Sequence, residues 1–181
     1  MGIGLGGGIV VSDSLYLGHD GIAGEVGHTI LQRSGPRCAC GRQGCAETFV
    51  SQRAVSRELT GKDNPVLAID AIRQALTAGD KATLRAVRKA GDYLGVLLQN
   101  VTNTYNPAVI VLGGPLVELG EPFLEAARRS MAAHAGRHDF HRHSVRVCRF
   151  GIDACALGAA AGVFQRVLYS AETNLGHSAR A

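Results

Sequence analysis

Three cysteines fall within eight residues, at Cys38, Cys40 and Cys45, with Gly41 and Gly44 lying among them. Thiols held this close either form disulfides or share a metal ion. The chain's total of five cysteines is odd, and three are crowded rather than spaced, so a secreted disulfide framework fits poorly and metal fits better. The glycines let the backbone fold back on itself at little cost. His28, upstream of the cluster, supplies a fourth ligand and completes a Cys3His tetrahedron of the kind zinc favours. Such an ion has no open position for an activated water, so its role is structural, and its binding free energy holds the apolar-poor loop 29–37. The Cys-x-Cys-x4-Cys spacing differs from the common finger pattern, and a reduced, metal-free thiol cluster is the competing reading. Cys148 and Cys155 sit in apolar and small-residue surroundings and are expected to be buried, compact hydrophobes.

A chain of 181 residues, 46% hydrophobic and with 24 glycines, suffices for a compact α/β domain. No apolar run reaches the roughly 18 residues a membrane helix needs, and the first residues lack signal-peptide character; a cytoplasmic protein without a membrane partner is expected. The net charge of +4 is spread, with 19 basic residues interleaved among 15 acidic ones, and the Arg- and His-rich stretch 134–149 reads as solvated surface. Charge gives no ground for nucleic-acid binding.

The glycine-rich segment 2–8 leads into Ile9, Val10 and Val11, a polar turn, and Leu15 to Leu17, which read as two strands joined tightly. A loop-rich region follows over 18–44. Helical spacing then predicts helices over 48–59, 66–76 and 81–103, the last closed by Pro107. Val109 to Leu112 reads as a buried parallel strand running into Gly113 and Gly114. A helix over 121–134, a strand over 144–150 and a last helix over 154–169 complete the expected elements, and residues 170–181 form a flexible tail.

Glu25 precedes His28 by three residues and Glu47 follows Cys45 by two, so a metal anchored by these neighbours brings both carboxylates to one place. Carboxylates accept hydrogen bonds from vicinal hydroxyls well, and His28 can bind metal through one ring nitrogen while offering the other to a ligand. On spacing alone, solvated loop and helix-start residues account for the two acids equally. Gly2 to Gly7 formally satisfies Gly-x-Gly-x-x-Gly, but the strand before and helix after that a dinucleotide fingerprint needs are missing.

Gly24-Glu25-Val26-Gly27-His28, followed by Cys38-Ala39-Cys40-Gly41-Arg42-Gln43-Gly44-Cys45-Ala46-Glu47, resembles the double signature of the ROK family, which unites sugar kinases and sugar-responsive repressors. The similarity continues through Asn106-Pro107, Gly113-Gly114 and the last helix. The resemblance implies an α/β, actin-like ATPase (ribonuclease H-like) fold, represented by its second lobe over 1–169: a zinc and sugar loop over 18–47, a helical segment over 48–105, and strand-turn and closing helices over 108–169. It also implies that His28, Cys38, Cys40 and Cys45 bind zinc, and that Glu25, His28 and Glu47 contact sugar hydroxyls of a monosaccharide or amino sugar. Gly6, Gly7, Gly113 and Gly114 match positions that face nucleotide in kinases, although turn architecture without nucleotide explains them equally.

Kinases of the family place a general-base Asp and a first phosphate loop in the first lobe, and nothing in residues 1–181 matches that Asp motif. The chain as given is therefore expected to phosphorylate nothing, and ATP enters only under a kinase reading. His28-Thr29, the Asn103 to Pro107 run and Gly114-Pro115 look closer to the repressors than to the glucokinases. The expected function is the sugar-binding effector module of a transcriptional repressor, truncated ahead of its first lobe, with DNA reached only through a missing amino-terminal segment. The alternatives are the inactive carboxy-terminal half of an ATP-dependent sugar kinase and a decayed fragment. The resemblance also implies a homo-oligomer, with the helix over 81–103 as a candidate interface or, equally, as a helix buried within the lobe.

Overall fold

The protein is described by a computed structural model covering residues 1–61, 64–135 and 144–175. Strands β1 (Ile9–Val11) and β2 (Ser14–Tyr16) pair antiparallel, Val11 opposite Ser14. Ser12 and Asp13 both take positive φ, 49° and 60°, the two left-handed positions of a type I′ turn whose twist matches the hairpin. Strands β3 (Val109–Leu112) and β4 (Ser144–Val147) form a separate parallel pair, as the continuous apolar run predicts, but β3 is not the buried strand expected: Val109 and Val111 are exposed and only Leu112 is buried.

Between the pairs lie the helices α1 (Gln52–Thr60), α2 (Ile69–Thr77) and α3 (Lys81–Tyr105), with α4 (Glu121–Ala133) between β3 and β4 in sequence and α5 (Ala154–Leu175) after them. Helix α1 begins later than periodicity suggests. Residues Ala46–Thr48 wind into a single 3₁₀ turn instead, and Ser51, extended at φ −151°, caps α1 by accepting the Ala54 N–H at 3.0 Å. Asp80 caps α3 in the same way through the Thr83 N–H at 2.7 Å, and the Thr83 hydroxyl, donating to the same oxygen at 2.6 Å, together with that N–H holds its carboxyl below the usual range. Helix α3 ends at Asn106, left-handed at φ 45°, directly before Pro107.

The core is built on α3. Val87 and Leu94 on its inner face meet Val55, Ile72, Leu116 and Phe123, all but sealed from solvent. Its apolar stripe is thus consumed inside the lobe. Helix α4 packs along it closely, because Gly91 and Gly95 leave no side chain in the way: a Cβ at either would lie within 2.5 Å of the Phe123 or Ala127 carbonyl oxygen. The loop region is tied to the same helix, since Phe49 stacks on Tyr93 with centroids 4.1 Å apart and the Tyr93 hydroxyl donates to Gln32 at 2.9 Å.

Helix α5 runs past residue 169 to Leu175, and the remainder of the expected tail, 176–181, lies outside the described residues, as do residues 136–143 of the stretch 134–149. It rests chiefly on the turn Gly151–Asp153 and leaves Leu157, Val163, Phe164 and Val167 exposed. That sparse packing corrects one expectation: Cys155 is exposed and Cys148 only half-buried. Among the described residues no helix is long and apolar enough to cross a membrane.

Candidate metal centre and its flanking carboxylates

The loop that carries the cysteines folds by backbone pairing. Ile30 bridges Cys45 and Arg37 bridges Gln43, both antiparallel, and the Cys38 N–H donates to the Arg42 carbonyl at 2.8 Å. Gly44 is the pivot. Its φ is +72°, its N–H reaches the Pro36 carbonyl at 2.9 Å, and a Cβ there would land 1.6 Å from the Gln32 oxygen, which only glycine avoids. Two short 3₁₀ turns, Val26–His28 and Ala46–Thr48, pack side by side and deliver His28 and Glu47 from opposite sides of the loop.

As a result the ligand atoms of His28, Cys38, Cys40 and Cys45 all lie within 4.8 Å of one another. A tetrahedral zinc with Zn–S near 2.3 Å requires sulfur–sulfur edges of about 3.8 Å and sulfur–nitrogen edges of about 3.6 Å. The Cys40–Cys45 sulfurs are 3.6 Å apart and Cys38 Sγ stands 3.8 Å from His28 Nδ1. The donor set and its edges fit a single tetrahedral ion, and the thiols are free rather than joined in disulfides.

Without metal, hydrogen bonding from the Arg42 backbone, reinforced by its side chain, pulls the exposed Cys40 thiol down to about 6, while burial pushes Cys45 up to about 12. Of these two thiols the exposed Cys40 therefore takes the negative charge before the buried Cys45. Arg42 was not singled out by the sequence reading. Its place inside the Cys40-to-Cys45 turn is the signal that could have found it.

Each carboxylate touches one member of this cluster. Glu25 Oε2 is 3.6 Å from His28 Nε2, the ring nitrogen opposite the one facing the thiols. Glu47 Oε1 is 4.0 Å from Cys38 Sγ, and its other oxygen accepts the Leu5 N–H at 3.0 Å. Glu25 stays open to solvent while Glu47 is half-buried. Glu25 thus stands beside the outer ring nitrogen, where a metal-bound histidine commonly has a second partner, at a separation just beyond hydrogen-bond length.

The glycine clusters also meet. The Met1 ammonium donates to the Gly113 carbonyl at 2.6 Å, and Gly114, at φ +93°, would drive a Cβ into Met1. Gly6, Gly7 and Gly113 line one groove.

A profile described as "ROK family" matches residues 1–166, and the chain belongs to that family. It is 32% identical over 165 residues to the xylose repressor of Bacillus spizizenii, covering 91% of this chain and 43% of that protein. It is 31% identical over 173 residues to the glucokinase of Halalkalibacterium halodurans, covering 87% of this chain and 52% of the enzyme. Among solved structures, the ROK family glucokinase from Streptomyces griseus, in complex with glucose and AMPPNP, superimposes with a TM-score of 0.77 at 27% identity over 89% of this chain and 57% of that one. The chain thus spans about half the length of the relatives it matches, and its α/β architecture is that of sugar-kinase-fold neighbours.

Proposed function

We propose that the chain is the sugar-binding lobe of a ROK-family transcriptional repressor, with a structural zinc on His28, Cys38, Cys40 and Cys45 holding Glu25, His28 and Glu47 ready for sugar hydroxyls. The observation that carries this is the convergence of four metal-type ligand atoms within 4.8 Å, with a carboxylate against one member on either side. Zinc closed by four protein ligands supplies rigidity and no reactive water. The carboxylates accept hydrogen bonds from neighbouring hydroxyls, each charge-assisted bond contributing about 1.5–3 kcal/mol before ordering costs. In a repressor, sugar binding acts by favouring one lobe or subunit arrangement over another. DNA contact then falls to polypeptide outside these residues, and self-association to surfaces beyond the buried stripe of α3.

Similarity to the xylose repressor supports the repressor branch. The second reading, the carboxy-terminal half of an ATP-dependent sugar kinase, is supported by the superposition on the Streptomyces griseus glucokinase; there Gly6, Gly7, Gly113 and Gly114 would face nucleotide. Coding sequence upstream of Met1 separates the two, a winged helix-turn-helix marking the repressor and an Asp-x-Gly phosphate loop the kinase.

The sugar site itself is testable by NMR titration of the zinc-loaded chain with D-xylose, D-glucose and N-acetylmannosamine. At least one should give saturable shifts confined to residues 24–28 and 45–48. Shifts elsewhere only, or none with any of the three at concentrations well above about 1 mM, where binding free energy is near 4 kcal/mol, would remove the sugar reading.

A further inference from the structure

We propose that Cys40 and Cys45 form an oxidation site: a peroxide closes them into a disulfide, the metal position loses two of its four ligands, and the zinc leaves. The two sulfurs stand 3.6 Å apart, and both residues are free thiols. Their exposures are opposite, since Cys40 is open to solvent and Cys45 is fully buried. An oxidant arriving from solvent therefore meets Cys40 first, with the Cys45 sulfur already in contact with it.

The backbone makes Cys40 the movable member of the pair. It lies at the tip of the turn closed by the bridge between Arg37 and Gln43, where the Gly41 N–H donates to the Cys38 carbonyl at 3.0 Å. Gly41 takes φ +89° and has open space on its Cβ side, so nothing packs against the tip there. Cys45 is fixed at the base, because its backbone bridges Ile30 and the neighbouring Gly44 is pressed against Gln32. A disulfide needs the sulfurs to close to about 2.05 Å, roughly 1.5 Å nearer than they stand, which a small movement of the tip supplies. Cys38 is the poorer partner. Its Sγ stands 3.8 Å from His28 Nδ1 and 4.0 Å from Glu47 Oε1, turned toward those groups, and only Ala39 separates it from Cys40 in the chain.

The oxidant is hydrogen peroxide or an alkyl hydroperoxide, and the step balances with either. The Cys40 sulfur attacks the peroxide, the O–O bond breaks, and one oxygen leaves as water or alcohol while the other stays on sulfur as a sulfenic acid. The Cys45 sulfur then attacks the Cys40 sulfur, the S–O bond breaks, and the second oxygen leaves as water. The two sulfurs together give up two electrons, which the peroxide takes. The protons come from the thiols, or from solvent where the sulfurs are already thiolates. His28 and Cys38 then remain as two donors for an ion that takes four, so it is released. Small thiols reopen the bond by exchange. The consequence for sugar rests on the function proposed above. Glu47 follows Cys45 by two residues and Glu25 stands 3.6 Å from His28 Nε2, so release of the ion leaves both carboxylates without their anchor.

The test treats the zinc-loaded chain carrying Cys148→Ser and Cys155→Ser, which removes the two thiols outside the cluster, with a few equivalents of hydrogen peroxide beside a colorimetric zinc chelator. No metal ligand is substituted, so the starting protein keeps its site. About one zinc per chain should be released. Thiol trapping should then find Cys38 alone free, and peptide mapping should place the disulfide between Cys40 and Cys45. Dithiothreitol with added zinc should restore the metal, and the sugar-induced shifts at residues 24–28 and 45–48 should vanish and return with it. Zinc retained with all three thiols free overturns the proposal, as does a disulfide through Cys38 or oxidation of Cys40 that stops at the sulfinic acid. Protein that takes up no zinc at the outset removes the metal reading and this release with it, whereas zinc held firmly against peroxide removes the release alone. Absence of sugar shifts in the reduced protein bears on the sugar reading only, because metal content and the disulfide map decide the proposal without sugar.

Discussion

Cys45→Ser should strip the protein of bound zinc and lower its thermal midpoint sharply, an effect read by metal analysis and by unfolding followed in parallel. Cys45 is fully buried, its sulfur lies 3.6 Å from that of Cys40, and its backbone bridges Ile30, so it is the ligand least able to be replaced by a neighbour or by water. Serine keeps the volume but offers a hydroxyl that zinc binds poorly. An ion that binds the folded state alone stabilises it by RT ln(1 + [Zn]/Kd), about 4 kcal/mol when free zinc stands about 1,000-fold above Kd. The variant should lose that increment, and added zinc should no longer raise its midpoint. Cys148→Ser, outside the cluster, should change neither metal content nor the response to zinc.

Glu47→Gln should abolish the sugar-induced shifts while leaving zinc in place. Glu47 stands beside the cluster rather than in it, with one oxygen 4.0 Å from Cys38 Sγ and the other on the Leu5 N–H at 3.0 Å. Glutamine retains an acceptor for Leu5, so the loop should stay folded. What disappears is the negative charge that strengthens hydrogen bonds from sugar hydroxyls, about 1.5–3 kcal/mol for a charged partner, or roughly a ten- to hundred-fold loss of affinity. Loss of zinc together with affinity would instead make Glu47 a support of the metal loop. Unchanged affinity would leave the carboxylate without a part in recognition.

The convergence of the thiols with His28 and the parallel pairing of β3 are the most legible parts of the fold. Cys38, Cys40 and Cys45 sit so near in sequence that few loop conformations can separate them, and Val109 to Leu112 carry a short apolar run that pairs in parallel as expected, although Val109 and Val111 stand exposed. Helix starts were less legible. Periodicity places α1 at residue 48, whereas Ala46–Thr48 form a 3₁₀ turn and the Ser51 cap sets the true beginning. The side on which each carboxylate approaches the cluster could not be read from spacing, because it depends on two 3₁₀ turns packing together across a loop. Cys155 misled for a different reason: a small-residue helix suggests burial, but α5 meets little of the rest of the described chain.

X-ray absorption at the zinc edge of the purified protein bears most directly on whether one ion organises the loop. Three sulfur neighbours near 2.3 Å and one nitrogen at about 2.0–2.1 Å, at about one zinc per chain, are the predicted result. Protein free of metal after growth with zinc, or an ion ringed by oxygen, would contradict it, since His28 and the three thiols would then have no common partner.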